Sequence, residues 1–237
     1  MYGDYYTFPR GNLQIFFRSV NRMNLNEILG HLTETTPATL AVLVALLGFT
    51  AIMYFAGKNT KWDTRSLAHA ALCIALSYVL SCIRLYRFSV GGSITLLSML
   101  PIVMCAMVQG PARGFVIGCA YGLLQLIQDF YVSHPMQLIM DYPLAFAMLG
   151  LAGIAKYLPI PERAKLPAGV VIAAAGRYLM HVISGAVFFG SYAEPGQTAL
   201  TYSLLYNIGY MGPDAGLCLI AACTPVAQKI CAMMKKR

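Results

Sequence analysis

The sequence predicts an all-α integral membrane protein, and three observations carry that prediction. Of its 237 residues, 58% are hydrophobic and only 11% charged, where an ordinary soluble domain has about 25% charged. Six or seven apolar stretches come near the roughly 17–25 residues that span a bilayer as a helix. Lys and Arg also collect in alternate links between those stretches, the bias that orients membrane proteins. The formal charge of +8 therefore marks loops on one side. It does not mark a nucleic-acid surface, because no basic stripe interleaved with aromatics occurs.

Residues 1–22 mix aromatics with Arg10, Arg18 and Arg22 and show neither a spanning run nor an amphipathic period. No cleavable signal peptide is apparent, and Met23 is an equally good start. Residues 1–37 are read as a polar N-terminal segment and 38–57 as the first span. A polar link follows at 58–66, with Lys58, Lys61, Arg65 and the only tryptophan, Trp62. Further spans are expected at 67–83, 94–108 (a shorter run), 114–130, 137–158 and 167–189. The last runs from 198 to about 233 and exceeds one bilayer thickness, so a single helix kinked at Gly212-Pro213 is expected.

Lys58, Lys61 and Arg65, then Arg113, then Lys156, Arg163 and Lys165, and finally Lys229, Lys235, Lys236 and Arg237 fall in alternate links. Those links are assigned to the cytoplasm, together with the C-terminus. The loops holding Arg84 and Arg87, 131–136 and 190–197 are then external. All seven cysteines lie in apolar stretches without C-x-x-C or metal-ligand spacing, so buried thiols are expected and no metal site.

Arg177 and His181 stand inside the 167–189 span, and an ionisable group at membrane depth usually faces a partner or a cavity. With directions assigned, His181, Gly185 and Phe189 form one stripe in the outer half, at i+4 spacing. Tyr121, Gln125, Gln128 and Asp129 share a face of the 114–130 helix. Asp141 and Tyr142 begin the next, and Tyr202, Tyr206 and Tyr210 line the last, with Asn207 beside them. Carboxylate, imidazole, amide and phenol groups thus meet near the outer face. That inventory suits a flat, cationic, hydrogen-bonding small molecule.

Plainer readings stand beside this one. The tyrosines fit an interfacial belt, Gln125 and Gln128 fit interhelical hydrogen bonds, and Asp141 fits a first-turn acid. His181 fits an interhelical histidine. Arg177 serves structure if it pairs with Asp129 or with backbone carbonyls.

From about Ser66 onward the chain resembles the thiamine-specific substrate-binding (S) subunit of the energy-coupling factor (ECF) vitamin transporters. The stretches that carry the resemblance are GGSITLLSMLPI (91–102), GCAYGLLQ (118–125), DYPLAFAMLG (141–150), RYLMHVISGAVFFGSYA (177–193) and YSLLYNIGY (202–210). It implies a six-helix S-component core over 67–237, preceded by one extra N-terminal transmembrane helix. It further implies a bacterial cell-membrane protein that captures thiamine and works with a transmembrane coupling subunit and two ATPase subunits. No G-x-x-x-x-G-K-[ST] loop occurs in the chain itself.

Carried onto this sequence, the resemblance implies substrate contacts at Asp141, Tyr142, His181, Gly185, Tyr202, Asn207 and Tyr131. Tyr121 and Phe189 stand where the family has tryptophans, and Asp141 where it has glutamate. Ala71 and Ala75 match its A-x-x-x-A coupling face. The 84–93 loop, with Gly91-Gly92, is expected to act as a lid. Two other functions are weighed. One is the same transport with a related vitamin or thiamine precursor. The other is an intramembrane enzyme using Asp129, His134 or Asp141 with His181, which no nucleophile-elbow or H-E-x-x-H motif supports. No cofactor is expected.

Overall fold

A computed structural model describes residues 44, 47–49, 51, 58, 61–88, 91–128 and 134–235. All belong to the second of two compact units, Ala41–Arg237. The reading of 1–37, Asp129, Tyr131 and the last two basic residues lies outside them. Within the expected first span, residues 44, 47–49 and 51 are helical.

Helix α1 (Thr64–Cys82) begins three residues earlier than expected. Ser66 explains the start, since its Oγ accepts from the Asp63 N–H at 3.1 Å and donates to the Asp63 carbonyl at 2.9 Å. Strands β1 (Arg84–Arg87) and β2 (Ser93–Thr95) then pair antiparallel, Arg84 opposite Thr95 and Arg87 opposite Ser93. The all-α expectation is corrected here. The hairpin removes the first residues of the expected 94–108 span and leaves α2 (Leu100–Gln109) too short to cross a bilayer alone. Local chemistry accounts for the change: the Thr95 N–H donates to a side chain of another helix, Leu97 holds φ 61°, and Pro101 opens α2.

Helix α3 (Pro111–Gln128) packs on α4 (Met136–Tyr157) through a file of glycines. A Cβ at Gly122 would come 2.4 Å from the Tyr142 carbonyl oxygen, one at Gly118 2.3 Å from that of Phe146, and one at Gly114 2.8 Å from the Gly150 Cα. α4 answers with a varied backbone, a π turn at Met140–Leu144 followed by a 3-10 stretch at Met148–Tyr157. Pro143 lacks the N–H that a regular turn would use, which accounts for the widened turn. Three residues per turn then stack Gly150 and Gly153 in line against α3.

Helices α5 (Glu162–Phe188) and α6 (Ala199–Cys223) form the most extensive helix pair. α6 runs unbroken through Pro213, so the expected kink there does not occur. The chain bends instead by 75° at Thr224, before α7 (Pro225–Lys235), because Thr224 is extended and proline follows it. By length and composition, three described helices can cross a membrane, or four if α6 and α7 count as one broken span. Of the expected six core spans, α2 and α3 do not meet that criterion, since α2 is short and α3 carries polar Gln125, Gln128 and Arg113, and most of the expected extra span at 38–57 lies outside the described residues.

The helix ends sort by charge. Gln109 Nε2 reaches the Ser66 carbonyl at 2.9 Å, Arg113 reaches that of Lys61 at 2.5 Å, and Gln228 reaches that of Arg163 at 3.0 Å. These contacts gather the basic links at one end of the bundle.

Candidate functional site

At the opposite end, the hairpin, α3, α4, α5 and α6 enclose a cavity with about 130 Å³ open to the centres of water-sized molecules. Its walls combine two carboxylates, one guanidinium, one imidazole and a row of phenols.

Asp141 stands on the π turn of α4 with both oxygens engaged. Oδ1 lies 3.1 Å from His181 Nδ1, and Oδ2 accepts from Gln137 Nε2 at 2.6 Å, one turn back along the helix. The carboxylate calls for a proton on Nδ1, which in the neutral ring leaves Nε2 as an acceptor. That Nε2 is buried and has no hydrogen-bond partner among the described residues. The widened turn also lets the next residue, Tyr142, line the same cavity.

Gly185 lines the cavity one turn beyond His181, where a Cβ would come 2.2 Å from Ser203 Oγ. This close approach of α5 and α6 is held by Ser203 Oγ donating to the Val182 carbonyl at 2.8 Å. Asn207 Nδ2 reaches the Ser203 carbonyl at 2.8 Å and that of His181 at 3.2 Å, and its Oδ1 accepts from Tyr210 at 2.9 Å. Asn207 thus fixes the backbone that carries the imidazole.

Tyr202 and Tyr206 stack with ring centres 5.7 Å apart, and Tyr210 continues the row. The hairpin lies on this row. The Tyr206 hydroxyl donates to the Gly91 carbonyl, Phe88 meets Tyr206 and Tyr210 at 5.9 and 6.0 Å, and a Cβ on Gly92 would meet the Tyr210 ring at 2.9 Å. Gly91 and Gly92 hold φ of 92° and 82°, which side-chain-bearing residues rarely adopt. The hairpin therefore roofs the cavity.

Arg177 and Asp214 close the floor. Asp214 Oδ1 accepts from the Thr95 N–H at 2.9 Å and from its Oγ1 at 2.8 Å, while Oδ2 stands 3.6 Å from Arg177 Nη1. The guanidinium lies over the Phe146 ring, 4.2 Å from its centre. Arg177 thus lines the cavity, and its carboxylate partner is Asp214; Asp129, the partner considered from sequence, lies outside the described residues.

Tyr121 takes a different position from the one expected. It is fully buried behind Phe146, edge-on at 5.1 Å, and does not line the cavity. Phe146 presents the aromatic face instead. Phe189 and Tyr202 do line it, as does Gln125, which also donates to Ser81 on α1 at 2.8 Å and to Gln128 on its own helix at 3.1 Å. Ala71 and Ala75 lie on the exposed side of α1, beside Leu72 and Leu76.

Sequence reasoning missed Asp214, Gln137 and Phe146. Asp214 carried a readable signal, an acid next to Pro213 at membrane depth.

Residues 67–233 match the profile of the thiamine transporter protein family (Thia_YuaJ). The chain belongs to that family. The thiamine transporter ThiT of Bacillus subtilis is 39% identical over 143 residues, covering 56% of this chain and 74% of the relative. The ThiT of Lacticaseibacillus paracasei is 34% identical over 155 residues, covering 59% and 74%. The solved structure of ThiT from Listeria monocytogenes superposes with a TM-score of 0.55 at 26% identity, over 72% of this chain and 93% of that one. Membership of the family makes this a multi-pass membrane protein of transport rather than an enzyme.

Proposed function

We propose that the chain is the substrate-capture subunit of an ECF-type importer and binds thiamine in the cavity beneath the hairpin. One observation carries the reading: in a thiamine transporter family member, an aromatic cavity beneath the hairpin presents the Asp141–His181 pair with one imidazole nitrogen unpartnered among the described residues. His181 Nε2 accepts from the exocyclic amine of the aminopyrimidine, and Asp141 holds the imidazole in that tautomer. With the imidazole neutral, Asp141 and Asp214 against Arg177 leave one net negative charge in the wall. That balances the fixed positive charge of the thiazolium, while Phe146, Phe189 and the tyrosine row supply faces for stacking.

The cavity end faces outward and the basic end, with the C-terminus, faces the cytoplasm, in keeping with the distribution of Lys and Arg. Ala71 and Ala75 offer a small-residue face to a coupling subunit, and separate ATPases supply the energy. A related pyrimidine or thiazole compound is the second reading, favoured by the short Asp141 carboxylate and by phenyl and phenol rings where the family has indoles.

Titration calorimetry of the purified protein tests the assignment. Thiamine binds tightly to the unmodified chain, and Asp141→Ala or His181→Ala each weakens it roughly five- to a hundredfold, the cost of leaving a buried hydrogen-bonding group unsatisfied. Binding unaffected by either change would sink the assignment. Tighter binding of the isolated pyrimidine moiety would favour the second reading.

A further inference from the structure

At the basic end, the chain leaves the bundle in a way that a buried or fully solvated helix would not. α6 has 25 residues, a rise of about 37 Å against a hydrocarbon layer of about 30 Å. It therefore uses up the membrane thickness before Thr224, where the 75° bend turns α7 across the bundle end.

α7 divides its surface three ways. Ala227 and Cys231 are buried against the bundle. Val226, Ile230 and Met233, at i, i+4 and i+7, form an apolar stripe that is 68%, 41% and 52% exposed. The polar side, with Gln228, Lys229 and Lys235, faces a groove shared with the start of α5, where about 320 Å³ is open to water-sized molecules.

Charge in that groove is unbalanced. Arg163, Lys165, Lys229 and Lys235 line it with Glu162 as the one acid. The Glu162 carboxylate is already engaged by Lys165 at 2.5 Å and by Lys235 at 3.4 Å. Arg163 and Lys229 are left exposed with no carboxylate partner among the described residues.

The depth is marked independently. At the same end, Trp62 lies under Arg113 at 5.6 Å and Tyr157 under Lys156 at 4.7 Å, both rings exposed. Trp and Tyr beside basic side chains are the pairing found at headgroup level. An exposed apolar stripe flanked by lysines at that depth has the form of a helix lying in the interface.

We propose that α7 is an interfacial helix whose apolar stripe enters the acyl boundary, and that the α5–α7 groove holds the phosphate headgroup of an anionic phospholipid. The site needs only that the chain spans a membrane; it does not depend on which vitamin the cavity takes.

Native mass spectrometry of the full chain from nanodiscs of equal phosphatidylglycerol and phosphatidylcholine tests this. The unmodified protein retains phosphatidylglycerol in preference. The double variant Arg163→Gln/Lys229→Gln, whose melting temperature in pure phosphatidylcholine matches the unmodified chain, loses the preference by roughly 30-fold, about fivefold per basic residue. Ile230→Ser lowers retention as well. Equal retention of the two lipids, or an unchanged preference in the double variant, overturns the proposal. So does displacement of the lipid by millimolar inorganic phosphate, which would make this a free-anion site. Variants that keep the lipid preference but lose assembly with a coupling subunit would assign the surface to a protein partner and overturn it too.

Discussion

The residues whose chemistry is hardest to place in a membrane are the ones that the fold brings together. Arg177 and His181 were legible as anomalies because a spanning helix rarely carries either, and Asp141 was legible through the stretch it opens. What could not be read was the pairing. Asp141 meets His181 across two helices, and Arg177 meets Asp214 from a third, at distances that no spacing along one segment encodes. Tyr121 shows the reverse case. It shares a helical face with Gln125, yet the approach of α3 to α4 buries it behind Phe146. The floor pair makes a prediction of its own. Asp214→Ala leaves a buried guanidinium without its carboxylate and removes two bonds to Thr95, so stability falls by about 3–5 kcal/mol. The double change Arg177→Met/Asp214→Leu removes both charges and recovers most of that loss. Thermal unfolding in one detergent compares the three proteins; a double variant no better than Asp214→Ala would show that the charge pair is not the cause.

Among the elements, spans with unbroken apolar runs were legible to within a few residues, as α1, α4 and α5 show. The hairpin was not, because its Ser-Ile-Thr strand merges into an apolar run and only the side chain of distant Asp214 takes the Thr95 N–H out of helical bonding. The bend before α7 was misassigned to Pro213 for a similar reason. A proline is visible in sequence, but whether its turn breaks depends on what surrounds it. The Gly114, Gly118 and Gly122 spacing was readable as a close-packing face, and it sets how deeply Phe146 and Tyr142 reach into the cavity. Gly118→Ala forces a Cβ to 2.3 Å from the Phe146 carbonyl oxygen. It lowers stability by about 1–3 kcal/mol, as overpacking does, and weakens thiamine binding from a distance; unchanged melting and affinity would show that α4 shifts freely. At the roof, Tyr206→Phe removes the bond to Gly91 and keeps the stacked ring. Loss of one such bond speeds thiamine release roughly two- to tenfold with little change in association. Chase of labelled thiamine by excess unlabelled vitamin reads the rate directly, and an unchanged rate would remove the hairpin from any part in retention.

At the scale of the whole molecule, the two ends of the bundle have separate tasks. The cavity holds Asp141 with His181 and Asp214 with Arg177 among aromatic side chains, and the basic end holds Arg113 and Lys156 over the exposed rings of Trp62 and Tyr157. Between them, α1 supplies no residue of the cavity wall: its buried line of Ser66, Ala70, Cys73, Ser77 and Ser81 faces the bundle, while Ala71 and Ala75 face away from it. That outward face joins small residues to exposed Leu72, Leu76 and Val79, a surface on which another helix can approach closely. Capture and coupling are then separable by mutation. Ala71→Leu/Ala75→Leu adds bulk where no described side chain packs, so folding and the thiamine affinity of the isolated chain stay as they are. On the proposal that this face seats a coupling subunit, the same double change abolishes uptake in cells that depend on this protein for thiamine. Calorimetry and vitamin-limited growth, made on the same variant, give the two readouts. Uptake at the unmodified rate would place the coupling face elsewhere, and a parallel fall in affinity would mean that α1 shapes the cavity after all.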